Sequence, residues 1–142
     1  DGSVVIDDLT EEFGVINLCG PHSRDVLQNV TDDDISNETL PFSSYADIRV
    51  AGHPVRAMRI GYVGELVWEM HMGRENMPAV YRALAEAGSK YDIADVGYRA
   101  IDSLRMEKGY LYWSSDISPD YNPFEAGLGF RVNMKKGGFH RP

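Results

Sequence analysis

Two carboxylates four residues apart, Glu65 and Glu69, lie in the segment from Tyr62 to Glu69, which reads Y-V-G-E-L-V-W-E. The residues around them are strand formers and one tight glycine. A strand turns alternate side chains to alternate faces. Glu65, Val67 and Glu69 therefore point one way, while Leu66, Trp68 and Met70 point the other. The second set is wholly apolar and is expected to be the buried one. Glu69 then projects from the opposite face with Val67 and His71, in mid-element, where a lone acid has no local stabilising purpose. A carboxylate fixed on a rigid strand can accept two parallel charge-assisted hydrogen bonds from a planar donor pair, such as an amino-pyrimidinone. The competing reading is a solvated glutamate on the wet face of an antiparallel sheet, a common arrangement.

Other chemistries find less support. His22, His53, His71 and His140 share no helical or hairpin spacing, and a metal site needs three or four convergent ligands. His71 and Glu69 share a strand face and can pair, but two ligands do not make a metal site. Gly127-Leu-Gly129 lacks the third glycine and the strand-to-helix setting of a dinucleotide fingerprint. No G-x-S-x-G elbow for a serine nucleophile is present. The stretch G-Y-R-A-I-D-S-L-R-M-E-K-G places Arg99, Asp102 and Arg105 at i,i+3 spacing. These residues form either a solvated face tied by weak pairs or a helix with one arginine facing a ligand. Tyr110, Tyr112 and Trp113 follow directly after that helix. Core packing is the default for such rings, and a stacking wall for a flat heterocycle is the alternative.

The elements that must carry these groups follow from periodicity. Phe13 to Cys19 reads as a strand stopped by Gly20-Pro21, with Cys19 a buried strand-end thiol rather than a nucleophile. Ser23 is placed to cap a short helix from Arg24 to Val30. Residues 31–44 are polar and acidic and read as a surface loop. Ala46–Ala51 and Val55–Tyr62 form a hairpin about Gly52-His53-Pro54, and Leu66–Met72 is the next strand. From Asn76 the apolar period becomes helical, through Met77, Val80, Tyr81, Leu84 and Ala85, and ends at Gly88. A second helix spans about Val96 to Lys108. An aromatic, Gly- and Pro-rich segment from Tyr110 to Gly129 and a last strand, Phe130 to Met134, complete the chain. The class is α+β, an antiparallel sheet with helices packed on one face, in a single domain over residues 1–142.

Composition narrows the partners. The 142-residue chain carries a formal net charge of −8, from 22 acids and 14 bases. That argues against a nucleic-acid footprint, which requires clustered Lys and Arg; Lys135-Lys136 is too short a run. Cys19 is the only cysteine, so no intrachain disulfide is possible and a reducing compartment is the simpler expectation. No apolar run approaches the roughly 18 residues of a membrane span, and no signal-like segment opens the chain. A soluble, acidic domain is expected, in the cytoplasm or, in a eukaryote, the mitochondrial matrix.

Taken in order, four motifs make a resemblance specific. They are N-L-C-G-P-H-S-R-D-V-L from Asn17, V-A-G-H-P-V-R-A-M-R-I-G-Y-V-G-E-L-V-W-E-M-H from Val50, V-G-Y-R-A-I-D-S-L-R-M-E-K-G-Y from Val96, and P-F-E-A-G-L-G-F from Pro123. Together they resemble the tetrahydrofolate-binding domain of the aminomethyltransferase (glycine-cleavage T-protein-like) family, over about Ile6 to Phe139. The C-terminal folate domain of sarcosine and dimethylglycine dehydrogenases is the nearer branch, and the glycine-cleavage enzyme the more distant.

The resemblance implies an α+β folate-binding fold with a ferredoxin-like subdomain. It also implies transfer of a one-carbon unit from an amine-borne methylene to N5 of tetrahydrofolate, giving 5,10-methylenetetrahydrofolate. The family's Y-x-G-E-x-x-x-E motif matches Tyr62, Glu65 and Glu69. Its second acid holds the amino-pyrimidinone edge of the pterin, so Glu69 takes that role and Tyr62 lines the pocket. Where glycine-cleavage members carry an Arg before the acid matching Asp102, this chain has Ile101, which leaves Arg99 or Arg105 as substitutes. Trp113 sits where the dehydrogenase branch carries an aromatic, as a wall of the folate site or part of the core.

The family's catalytic Asp precedes the N-L-x-G-P motif, and Asp7 and Asp8 lie too close to that motif to match it. The expectation is therefore a fragment of a longer protein, whose catalytic residue is not assigned. Its partners are folate and the remaining domains, and FAD belongs only to a domain outside this chain. Two alternatives of the same fold are a non-catalytic regulatory or scaffold domain, like a phosphatase regulatory subunit resembling this family, and a folate-dependent demethylase acting on a sulfonium substrate.

Overall fold

Alternation along the chain becomes a sheet whose two faces differ sharply in polarity. The computed structural model describes residues 3–138. Its strands are β1 (Phe13–Cys19), β2 (Tyr45–Val50), β3 (His53–Met58) and β4 (Val67–Gly73), all antiparallel, in the order β1-β4-β3-β2. The helices are α1 (Ser23–Gln28), α2 (Met77–Gly88) and α3 (Tyr98–Glu107). The chain divides into two compact units, Asp1–Lys108 and Gly109–Pro142. Among the described residues, all the regular strands and α-helices belong to the first.

On the apolar face, Ile16 of β1 stands opposite Met70 of β4 and Leu18 opposite Trp68, while Ala46 and Ile48 of β2 face Ala57 and Val55 of β3. Trp68, Met70 and Met72 are all but fully buried there, with Val26 and Leu27 from α1 and Val80 and Leu84 from α2. The four-residue step from Val80 to Leu84 to Gly88 is the buried stripe of α2, as expected for an amphipathic helix on a sheet. Two guanidinium groups approach Trp68, with Arg24 Cζ 5.3 Å and Arg59 Cζ 5.6 Å from its ring centroid.

Residues 31–44 do more than cross the surface. Ile35 and Leu40 are fully buried in the main core. The segment is tied down by polar contacts: Arg24 Nη2 and Arg59 Nη1 donate to Asn37 Oδ1 at 2.8 and 2.7 Å, and the Arg49 amide donates to Asp33 Oδ2 at 2.7 Å. Two apolar residues spaced five apart among acids leave too faint a periodic signal to reveal this role. Ser23 is not the cap of α1. It is the first helical residue, follows His22, and is buried with its Oγ donating to the Leu66 carbonyl at 3.1 Å.

The hairpin turns one step earlier than its Gly-His-Pro triplet suggests. Ala51 and Gly52 form the two-residue loop, at φ +50° and +80°, the signature of a type I′ turn whose twist suits the flanking strands. His53 and Pro54 consequently open β3, which ends at Met58 rather than Tyr62. In the second unit, the expected strand Phe130–Met134 is absent. Short 3₁₀ turns at Gly129–Arg131 and Met134–Lys136 replace it, the latter begun by Asn133 Oδ1 accepting from the Lys135 amide at 3.0 Å. A strand needs a partner for its ladder, and the only pairing in this unit among the described residues is an isolated bridge between Trp113 and Ile117.

Two stability measurements test this architecture. An L-residue in the left-handed region costs about 1–2 kcal/mol, and Asn tolerates it better than Ala. Ala51→Asn should therefore raise the unfolding free energy by about 0.5–1 kcal/mol, read as a higher urea midpoint, and a lower midpoint would refute the turn assignment. Truncation of the buried Trp68 to Ala should cost about 3–5 kcal/mol, read as an unchanged m-value with a much lower midpoint.

Candidate functional site

The outward face of the sheet is built from the residues that alternate with the core. Strand register sets Asn17 opposite Glu69 and Glu69 opposite Met58, with Tyr45 beyond, in one row across all four strands. The next row runs Val15, His71, Arg56, Asp47. Glu69 and His71 are two residues apart on β4 and share this face. His71 Nε2 and Glu69 Oε1 are 2.7 Å apart, with side chains 33% and 31% exposed. In the same row Arg56 makes a two-pronged contact with Asp47, Nε to Oδ1 at 2.8 Å and Nη2 to Oδ2 at 3.0 Å, and lies over the Tyr45 ring. The Arg56 guanidinium holds the Asp47 carboxyl below the usual carboxylate range.

A cavity of about 650 Å³ takes in both faces of the edge strand β1, through Ile16 and Leu18 on one side and Asn17 and Cys19 on the other. Glu69 and Val67 of β4 join it, with Tyr62, the 91–96 segment, Tyr81 and Leu84 of α2, and Ile101 and Leu104 of α3. Its polar lining is acidic, from Glu69, Asp92 and Asp95, with His22 as the one basic-capable group and no Lys or Arg. His22 stacks on Tyr91 with ring centroids 4.7 Å apart. Tyr81 donates its hydroxyl to Asp95, at 2.8 Å to Oδ2, and that contact pushes the phenol above its ordinary range. The size suits a drug-sized heterocycle, and an acidic, mostly apolar lining suits a ligand that offers N–H donors.

The residues singled out from sequence fall in different places. Glu69 and Tyr62 both line the cavity. Glu65 shares the motif but is exposed and does not line it. Gly64, between them, has φ +71°, and a Cβ there would collide with the Lys108 side chain, so the tight turn of the motif requires glycine. Arg105 is buried at 5% exposure and paired through Nε and Nη2 with Asp102 at 2.7 and 2.6 Å. Its neighbours Ile101 and Leu104, rather than Arg105 itself, form the cavity wall. Trp113 belongs to the second unit and is 60% exposed. Arg99, the other proposed substitute, is exposed.

Cys19 corrects an expectation: it is exposed at the cavity rim, not buried. It pairs with Val67 on the outward face of β1, and period two places it with Asn17 rather than Leu18. Partial desolvation, and then the Glu65 charge, raise its thiol above the usual range. Asn17, directly across from Glu69, was not singled out from sequence; only strand pairing reveals it. Among the described residues no group of three His, Cys, Asp or Glu side chains converges as metal ligands, and His140 lies outside the described residues. No helix among them is long and apolar enough to cross a membrane.

Known proteins with similar sequences bear directly on this arrangement. The profile of the GCVT N-terminal domain family matches residues 1–136. The mouse mitochondrial sarcosine dehydrogenase is 50% identical over 128 residues, covering 90% of this chain and 14% of that protein. The mouse mitochondrial dimethylglycine dehydrogenase is 39% identical, covering 94% and 15%. The aminomethyltransferase of Halothermothrix orenii is 34% identical, covering 92% and 36%. The chain thus spans about one-seventh of the dehydrogenases it matches. Among solved structures, the heterotetrameric sarcosine oxidase from Corynebacterium sp. U-96 shares the fold with a TM-score of 0.54 at 23% identity, over 63% of this chain and 45% of that one.

The thiol provides a direct probe of the rim. Because an anion beside a thiol disfavours its thiolate, Glu65→Gln should speed Cys19 alkylation by iodoacetamide at pH 8 and move the pH–rate curve part of the way down. An unchanged curve would place Glu65 away from the rim.

Proposed function

The chain belongs to the GCVT N-terminal domain family, and we propose that it is the tetrahydrofolate-binding portion of an aminomethyltransferase-type enzyme of the sarcosine or dimethylglycine dehydrogenase kind. The observation that carries the reading is Glu69, a half-buried carboxylate held on the inner strand β4 in the wall of a cavity with Tyr62 beside it. A reduced pterin offers an exocyclic amino group and a ring N–H side by side, and one carboxylate accepts both in parallel. Within the protein, Glu69 would orient the ring and Tyr62 would close one side. Ile101 and Leu104 of α3 would exclude water, with the Arg105–Asp102 pair bracing that helix. Bound folate would supply the nucleophilic nitrogen that takes up a one-carbon unit from an amine. Glu65, which does not line the cavity, and Trp113 stay in the proposal through the family motifs alone.

The relatives' greater length supports a parent protein with further domains as partners of this one, and FAD would belong to such a domain. The exposed rings of Phe42 and Tyr45 agree with surfaces covered by other parts of a longer protein. Both dehydrogenase relatives are mitochondrial, which supports the matrix as the compartment if the parent is eukaryotic.

Isothermal titration of the full chain with 5-formyltetrahydrofolate tests the assignment. Two charge-assisted hydrogen bonds contribute on the order of 2 kcal/mol or more, so Glu69→Ala should weaken binding by roughly 30-fold. Equal binding by native chain and variant would reject Glu69 as the anchor.

A further inference from the structure

We propose that His71 is a positioning residue for Glu69, holding its carboxylate in the orientation that receives the ligand's paired donors; this rests on the pterin-anchor reading above. Several features of the wet face point to it. The two side chains project from the same face of β4, two residues apart, and meet at 2.7 Å between His71 Nε2 and Glu69 Oε1. Both are about one-third exposed, so the contact is shielded enough to persist yet lies beside a cavity that Glu69 itself lines.

The surroundings leave His71 few other commitments. Across the strands it faces Val15 on β1 and Arg56 on β3. Val15 offers no polar group. Arg56 is engaged by both oxygens of Asp47, which removes Arg56 as a competing partner for Glu69. Opposite Glu69 stand Asn17 and Met58, and no other hydrogen bond to the Glu69 carboxylate is present among the described residues. The sheet therefore sets out Asp47, Arg56, His71 and Glu69 as two adjacent pairs in which each cation-capable group has one acid.

A glutamate side chain has three rotatable bonds, and freezing them on binding opposes affinity. A histidine bound to one oxygen removes part of that freedom in advance. It does not block the site, because an ionised carboxylate has about four acceptor positions. Oε1 can accept from His71 Nε2–H and still accept from the ligand, while Oε2 takes the second donor. His71 therefore acts through Glu69 and need not touch the ligand.

The test compares His71→Ala and His71→Gln with native chain and Glu69→Ala, using 5-formyltetrahydrofolate as the titrant. His71→Ala should weaken binding about three- to tenfold, the range expected for one pre-ordered side chain. Gln carries an N–H donor at similar reach, so His71→Gln should bind within about twofold of native. In the ligand-free chain, a hydrogen-bonded His71 Nε2 proton should appear in ¹⁵N-histidine spectra and vanish in Glu69→Ala. Binding by His71→Ala equal to native, with Glu69→Ala still impaired, overturns this proposal alone, as does equal weakness of the Ala and Gln variants. If the native chain takes up no folate, or Glu69→Ala binds as native does, the anchor reading fails and this proposal falls with it.

Discussion

The position of β4 between β1 and β3 is the constraint from which the rest of the first unit follows. Pairing on both edges pins its register, and the register decides that Trp68, Met70 and Met72 face the helices while Val67, Glu69 and His71 face away. A slip of one residue would exchange the two sets completely. It would bury a carboxylate and an imidazole without partners and expose an indole and two thioethers. The large apolar area buried by Trp68 and the two methionines therefore also fixes where the anchor carboxylate stands. Core and candidate site are two consequences of one alternation.

Charge is arranged so that Glu69 keeps its accepting capacity. Three arginines of the first unit are already committed, Arg56 of β3 to Asp47 on the outward face, and Arg24 and Arg59 to Asn37 and neighbouring carbonyls around Trp68. None of them lines the cavity. A carboxylate matched by an Arg fork would have both oxygens engaged in strong bidentate bonds. Paired with a single imidazole nitrogen, it retains acceptor positions for an incoming donor pair. The acidic cavity agrees with the net charge of the chain in disfavouring anionic rings and phosphates.

Elements with a long, uniform period are legible in the sequence. Strand β1 runs from Phe13 to Cys19 as read, and α2 ends at Gly88 as read, because repeated apolar residues at a fixed step leave little choice of face. Sequence and structure diverge where one or two residues decide the outcome. Ser23 has a capping chemistry, yet a carbonyl from Leu66, 43 residues away, claims its hydroxyl. Ile35 and Leu40 enter the core from a segment whose composition is that of a loop. Phe130–Met134 has strand-forming residues but, among the described residues, no neighbouring strand to complete a ladder, and it curls into 3₁₀ turns. In each case the presence or absence of a partner elsewhere in the chain overrides a local preference.

For the site, the sequence alone determined that Glu69 lies on a strand, that it faces away from Trp68, and that it shares its face with His71. Those are properties of a two-residue period and require no partner. Tertiary structure decided that Asn17 and Met58 flank it, that Asp47 occupies Arg56, and that the exposed Cys19 sits at the rim. It also decided that α2 and α3 turn the face near β1 into a cavity, and that Arg105 lies behind its wall with Asp102. Strand order and helix packing set these relations, and both depend on contacts between residues far apart in the chain, whose identity no local spacing encodes.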